Sequence, residues 1–240
     1  MDSQQRAKTC LEVGCGTGVI ADELRQWGGA AVFGIDLRRD FLSYALRTSP
    51  ALSLSQADAF QLPFAAASFD CVFCHYFLLW LAHPEKVLQE LRRVLRPGGV
   101  VLALAEPDYG GRIDFPTALA GVGRLQAQAL RRQGADPEIG RRLASLFHAA
   151  GLVSVRSGVL GGQWGQPSAP GEPDDREIQI LAADLAGQIS PDELNEYARQ
   201  DAAAWQSGER ILYIPTFYAW GFNPGSSHST AAGSGSVSLR

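Results

Sequence analysis

The segment Glu12-Val13-Gly14-Cys15-Gly16-Thr17-Gly18 constrains the chain more than any other. A short apolar run, Thr9–Val13, leads into it, and Val19–Trp27 follows with Val19, Ile20, Leu24 and Trp27 at helical spacing before Gly28-Gly29. The pattern predicts a strand, a glycine loop and a helix. Glycines at such a junction let the backbone approach a ligand, and the helix N-terminus offers it free N–H groups. A nucleotide-like ligand is expected there. The dinucleotide fingerprint laid on Gly14 and Gly16 needs a small residue at position 19, where Val19 stands, so the fit is to G-x-G-x-G instead.

The same beat continues along the chain. Strands are expected over 30–36, 52–57, 70–75, 100–105 (ending at Glu106) and Val153–Leu160. Helices are expected over 40–48, 84–95 and from the cap Asp136 through Pro137 to Ala150. Strands joined by helix-length connections predict an α/β fold, a doubly wound, mostly parallel seven-stranded sheet that binds ligands at the carboxyl ends of its strands. One domain is expected over 1–222, with core segments 9–106 and 137–160 and residues 211–221 as the last strand. Insertions 107–135 and 161–210 are expected over the ligand edge as a helical substrate lid. The second insertion begins with a Gly/Pro-rich hinge and carries a capping box at Ser190 and Glu193. Residues 223–240, rich in Ser, Gly and Ala, are expected to form a disordered tail.

Composition narrows the function. In 240 residues, 46% are apolar and 19% charged, a balance that allows a sizeable core. A net charge of −4 provides no positive field for a phosphate backbone, which disfavours a nucleic-acid partner. The most apolar stretch, 71–82, is shorter than the roughly 20 residues of a membrane span, and residues 1–8 lack a secretory pattern. A cytoplasmic protein with reduced thiols is expected. Cys71 and Cys74 match a metal or redox spacing, but on a strand residues three apart point to opposite faces, so no metal site is expected.

Three carboxylates sharpen the ligand. Glu12, just before the glycine turn, would repel a pyrophosphate but suits a ligand carrying ammonium and sulfonium charge, as S-adenosylmethionine does. Asp36, at the end of the second strand, is placed to accept both ribose hydroxyls, and Asp58, after the third, to meet the adenine amino group. At LEVGCGTG (11–18), GIDL (34–37), ADAFQLPFAAASFD (57–70) and HPEKVLQELRRVLRPGG (83–99) the chain resembles the class I S-adenosylmethionine-dependent methyltransferases, in their type 11 or UbiE-like small-molecule branch.

That resemblance implies S-adenosyl-L-methionine as cofactor, with Glu12, Cys15 and the backbone of Gly14, Gly16 and Gly18 around its methionine portion. Asp36 and Leu37 would meet the ribose side, and Asp58 with Ala59 the adenine. His75 and Tyr76 would border cofactor and acceptor, His75 as a candidate general base where a buried structural histidine is the plainer reading. Glu106 is a candidate for substrate contact. The implied partner is a small-molecule methyl acceptor, with no nucleic acid or membrane, and the chain a monomer or homodimer. Relatives usually carry helices before the first strand, which here begins near residue 9, so either a less covered cofactor or a truncated chain is expected. A nicotinamide-dependent oxidoreductase and a cofactor-binding protein without catalysis are the alternatives.

Overall fold

The computed structural model describes residues 8–161 and 176–225. Its strands are β1 (Thr9–Val13), β2 (Ala31–Asp36), β3 (Ser53–Gln56), β4 (Phe69–Cys74), β5 (Leu95–Pro107), β6 (Ile113–Phe115), β7 (Val153–Leu160), β8 (Ile211–Tyr213) and β9 (Thr216–Phe222). The α-helices are α1 (Val19–Trp27), α2 (Arg39–Thr48), α3 (Pro84–Val94), α4 (Ala120–Arg132), α5 (Leu143–Ala149), α6 (Arg176–Asp184) and α7 (Pro191–Ser207). Seven strands form one sheet in the order β3-β2-β1-β4-β5-β9-β7, while β6 and β8 pair separately. β1 to β5 run parallel, and β9 is antiparallel to both its neighbours. The fold is the mostly parallel, doubly wound sheet expected from the chain's periodicity.

Alternation along the strands divides the core in two. Leu11, Val13, Val72 and Cys74 face one side, where they meet Val87, Leu88, Leu91 and Val94 of α3 and Leu143, Leu146 and Phe147 of α5. Cys10, Cys71 and Phe73 face the other, against Ala21, Ile20 and Leu24 of α1. Cys71 and Cys74 therefore lie on opposite faces of the sheet. The buried stripe of α3 explains why this segment is helical: each of its aliphatic side chains, fully removed from water, contributes about 1.5–3 kcal/mol.

Several elements depart from the sequence reading. Residues 211–221 are not one strand. Pro215 has no N–H to give a ladder, so the run breaks after Tyr213; β8 pairs with β6, and β9 enters the main sheet. Pro137 opens no α-helix: a 3-10 turn at Ile139–Arg142 precedes the short α5. β5 begins at Leu95, well before residue 100, because Leu95 pairs with Phe69 ahead of Pro97-Gly98-Gly99, and a register shift between Phe69 and Cys71 absorbs the extra residues. Asn223, read as the start of the tail, accepts from Gly98 N–H, and its side chain donates to the carbonyl oxygens of Leu95 and Arg96. The hinge residues 162–175, with Trp164, and the tail residues 226–240 lie outside the described residues.

The described parts of the two insertions make one module. Leu119 and Ala129 from the first share a core with Leu181, Leu185, Tyr197 and Ala204 from the second. Beside it, Asp114 accepts from Arg112 at 2.7 Å and from Arg210 at 3.0 Å. Arg210 also donates to Asp201 at 2.6 Å, and Gln126 bridges Arg112 to Asp184. The arginines are 3% and 0% exposed at the side chain, so each needs the carboxylates it holds. The expected capping box is present: Glu193 N–H donates to Ser190 Oγ, and Ser190 N–H to Glu193.

Candidate active site

At the carboxyl ends of β1, β2, β3 and β4 lies a cavity of about 950 Å³. Its floor is the glycine turn after β1. Gly14, Gly16 and Gly18 all adopt left-handed backbone angles, but for different reasons. A Cβ on Gly14 would lie 2.3 Å from the Phe77 ring, and one on Gly18 would lie 2.7 Å from Leu52. At Gly16 it would find only Phe41, 4.0 Å away. Gly16 thus keeps open space in the cavity, whereas Gly18 serves the packing of α1 and lines no part of it. The grouping of Gly18 with the ligand contacts is corrected accordingly.

Asp36, the last residue of β2, accepts from Gly16 N–H and Arg38 N–H, each at 2.8 Å, and so fixes the glycine turn from the neighbouring strand. Asp58 accepts from Phe60 N–H at 2.9 Å. Glu12, Cys15, Asp36, Leu37, Asp58 and Ala59 all line the cavity, as do Gly14 and Gly16. Glu12 is 2% exposed and its Oε2 has no hydrogen-bond partner among the described residues. Burial, with Asp36 adding to it, pushes its carboxyl up to about 8. A buried carboxylate oxygen left unmatched is costly, and a cation is the ligand that relieves it. The Cys15 thiol is pushed up to about 12 by burial and the nearby carboxylates, which keeps it protonated and unreactive.

The other half of the cavity comes from the loop after β4. His75 is half-buried, and burial holds its imidazole below the ordinary value, so it is neutral at pH 7 and free to accept a proton. Its ring meets that of Tyr76 edge to face at 4.9 Å. Tyr76 has a φ of 49°, a strained setting for a bulky residue, and its hydroxyl lies 3.4 Å from Thr216 Oγ1. Phe77, Trp80 and Leu81 continue the wall, and Gln133, after α4, is the one described residue of either insertion that reaches it.

Glu106 stands elsewhere than expected. It is fully buried and accepts from the N–H groups of Phe77, Leu78 and Leu79 at 3.0, 2.9 and 3.2 Å. Its carboxylate is consumed by the loop and does not reach the cavity, which corrects its reading as a substrate contact. A register shift between Ala103 and Glu106 turns it there, and no sequence pattern announces that bulge. Phe41, Phe77, Trp80, Leu81 and Gln133 were not anticipated from sequence. Trp80 carried a signal, since it lies in an apolar run, 71–82, that continues well past the end of β4 at Cys74.

The family described as "Methyltransferase domain" matches residues 11–103, which hold every one of these side chains except Glu106, Gln133 and Thr216. A demethylmenaquinone methyltransferase of Desulfitobacterium hafniense is 31% identical over 175 residues, covering 64% of this chain and 69% of that protein. The chain belongs to the methyltransferase family. A malonyl-[acyl-carrier protein] O-methyltransferase of Enterobacter lignolyticus is 37% identical over 99 residues, 40% of this chain and 38% of the relative. Among solved structures, a Haemonchus contortus phosphoethanolamine N-methyltransferase superposes with a TM-score of 0.60 at 16% identity, covering 92% of this chain and 50% of the other. At that identity the likeness is one of methyltransferase fold. The chain spans less than half the length of the first six curated methyltransferase-family and other relatives it matches.

Proposed function

We propose that the chain transfers the methyl group of S-adenosylmethionine to an O, N or C nucleophile on a small molecule. The observation that carries this reading is the unmatched Oε2 of Glu12 at the floor of a cavity that Gly16 keeps open. Glu12 fits the cofactor's ammonium group, Asp36 its ribose hydroxyls and Asp58 with Ala59 its adenine. A pyrophosphate would bring that carboxyl no cation to stabilise its charge, which disfavours a nicotinamide ligand. Relatives named for malonyl-[acyl-carrier protein] and demethylmenaquinone support a small or carrier-bound acceptor.

Bound S-adenosylmethionine supplies a methyl group already activated on a sulfonium centre. The protein's own work is then alignment, exclusion of water and proton management. The Asp36 contacts to Gly16 and Arg38 fix the turn beneath the ligand, and Phe77, packed against Gly14, ties that turn to the acceptor wall. Neutral His75 accepts a proton where the nucleophile has one to lose. Four free, buried cysteines suit a reducing compartment, and we assign the protein to the cytoplasm. Among the described residues no helix is long and apolar enough to cross a membrane.

Calorimetry with S-adenosylmethionine, S-adenosylhomocysteine and NAD tests the reading, with binding of the first two and not the third expected. Gly16→Val, strained at a φ of 51° and filling the open space, abolishes that binding while the fold persists. Preferential binding of NAD, or unchanged affinity in folded Gly16→Val, overturns the assignment. A positive result leads to a screen of labelled methyl transfer into a metabolite extract.

A further inference from the structure

With the ends of β1, β2 and β3 given to the cofactor, the rest of the cavity is walled by His75, Tyr76, Phe77, Trp80, Leu81 and Gln133. None of the six carries a formal charge at pH 7, His75 being held neutral by burial. The nearby carboxylate of Glu106 is turned inward and spent on three N–H groups. Glu12, Asp36 and Asp58 all sit at the cofactor end. Arg38, the one arginine among the described residues that line the cavity, lies over the Phe41 ring at 3.7 Å and is paired with Asp40. An acceptor with its own charge would therefore lose water in this half and gain no counter-ion among the described residues.

What the wall does offer is flat apolar surface. Trp80 is 48% and Tyr76 41% exposed, on a loop that Glu106 clamps from behind. Exposed aromatic faces held rigidly beside a cavity lower the entropy cost of stacking a ligand on them. We propose that the acceptor is an uncharged, flat and largely apolar molecule that lies against Trp80 and Tyr76 and presents a hydroxyl to His75. In the transfer the acceptor oxygen gains the methyl group, the sulfonium becomes a neutral thioether and the hydroxyl proton passes to His75. This inference rests on the cofactor reading above and deepens it.

Three probes sharing one ring system isolate the charge: 4-phenylphenol, 4-phenylbenzoate and 4-phenylbenzylamine. Each is titrated calorimetrically into the full chain saturated with S-adenosylhomocysteine. The phenol is expected to bind at least tenfold more tightly than either charged probe. Trp80→Ala weakens the phenol at least fivefold and leaves S-adenosylhomocysteine affinity unchanged, and Trp80→Arg raises affinity for the benzoate. Equal or tighter binding of a charged probe, binding of none of the three to the loaded protein, or indifference of the phenol to Trp80→Ala overturns this inference alone. Failure of S-adenosylhomocysteine itself to bind, seen before any probe is added, brings down the cofactor reading and this inference with it.

Discussion

Glu12 and Glu106 sit on strands that flank β4 on either side, both near the carboxyl edge of the sheet and both buried. Burial raises both carboxyls, Glu12 to about 8 and Glu106 to about 7. Their partners differ. Glu106 meets three backbone N–H groups and is not among the residues lining the candidate site, whereas Glu12 faces that cavity with one oxygen unmatched. The same residue type at nearly the same topological position is thus scaffolding where the backbone satisfies it and, in the function we propose, a ligand contact where it does not. Satisfaction, more than burial or acidity, separates the two roles.

If that distinction holds, the largest effect belongs to Glu106→Ala. It orphans three buried N–H groups and should cost about 3–6 kcal/mol of stability in urea unfolding. A loss under 1 kcal/mol would mean that the loop does not depend on the clamp.

Glu12→Gln should act oppositely on fold and function. S-adenosylhomocysteine binding weakens by about 2–4 kcal/mol as the buried charge partner disappears. Because the folded carboxyl titrates near 8, above its ordinary 4.5, its contribution to stability is full below about pH 4.5 and is lost as pH rises through 8. The glutamine variant, free of that loss, should be more stable than the parent at pH 8.5 and not at pH 4. Cofactor binding at pH 7 should release about one proton from Glu12, read as a dependence of calorimetric heat on buffer ionisation enthalpy. Wild-type affinity in the variant, or no proton release in the parent, would erase the contrast with Glu106.

Asp36→Ala removes an acceptor from both Gly16 and Arg38 and should weaken the cofactor by about 1.5–3 kcal/mol. Unchanged affinity in the folded variant removes Asp36 from the site. The smallest effect is Ser190→Ala, in the insertion module away from both glutamates. It should cost about 1 kcal/mol of stability through the lost helix cap and leave cofactor affinity alone. A large change in affinity would tie the module to the cofactor half more closely than its contacts do.

Much of the candidate cofactor half was legible in the chain, because its signals are local. The alternation of 9–13, the glycines and the helical spacing of 19–27 each act within a few residues, and Asp36 inherits its place from a strand that ends where an apolar run ends. The acceptor half depends on long-range pairing. Glu106 is aimed by a bulge set against β9, more than a hundred residues away, and Trp80 stands next to the loop residues that Glu106 holds. The break at Pro215 was visible as a residue that cannot join a ladder, yet the apolar run around it reads as one strand until β6 is known to be its partner.

The place of β9 sets a constraint on how the protein is made. It enters between β5 and β7, which precede it in the chain, and donates to and accepts from both. On the ribosome those two strands emerge first with their facing edges bare, and they stay so until residue 222 has left the exit tunnel. A nascent chain stopped before residue 216 exposes two adhesive strand edges at once. Chaperone demand should therefore peak late in synthesis, and C-terminal deletions that reach into β9 should aggregate where changes at the surface of α7 remain tolerable.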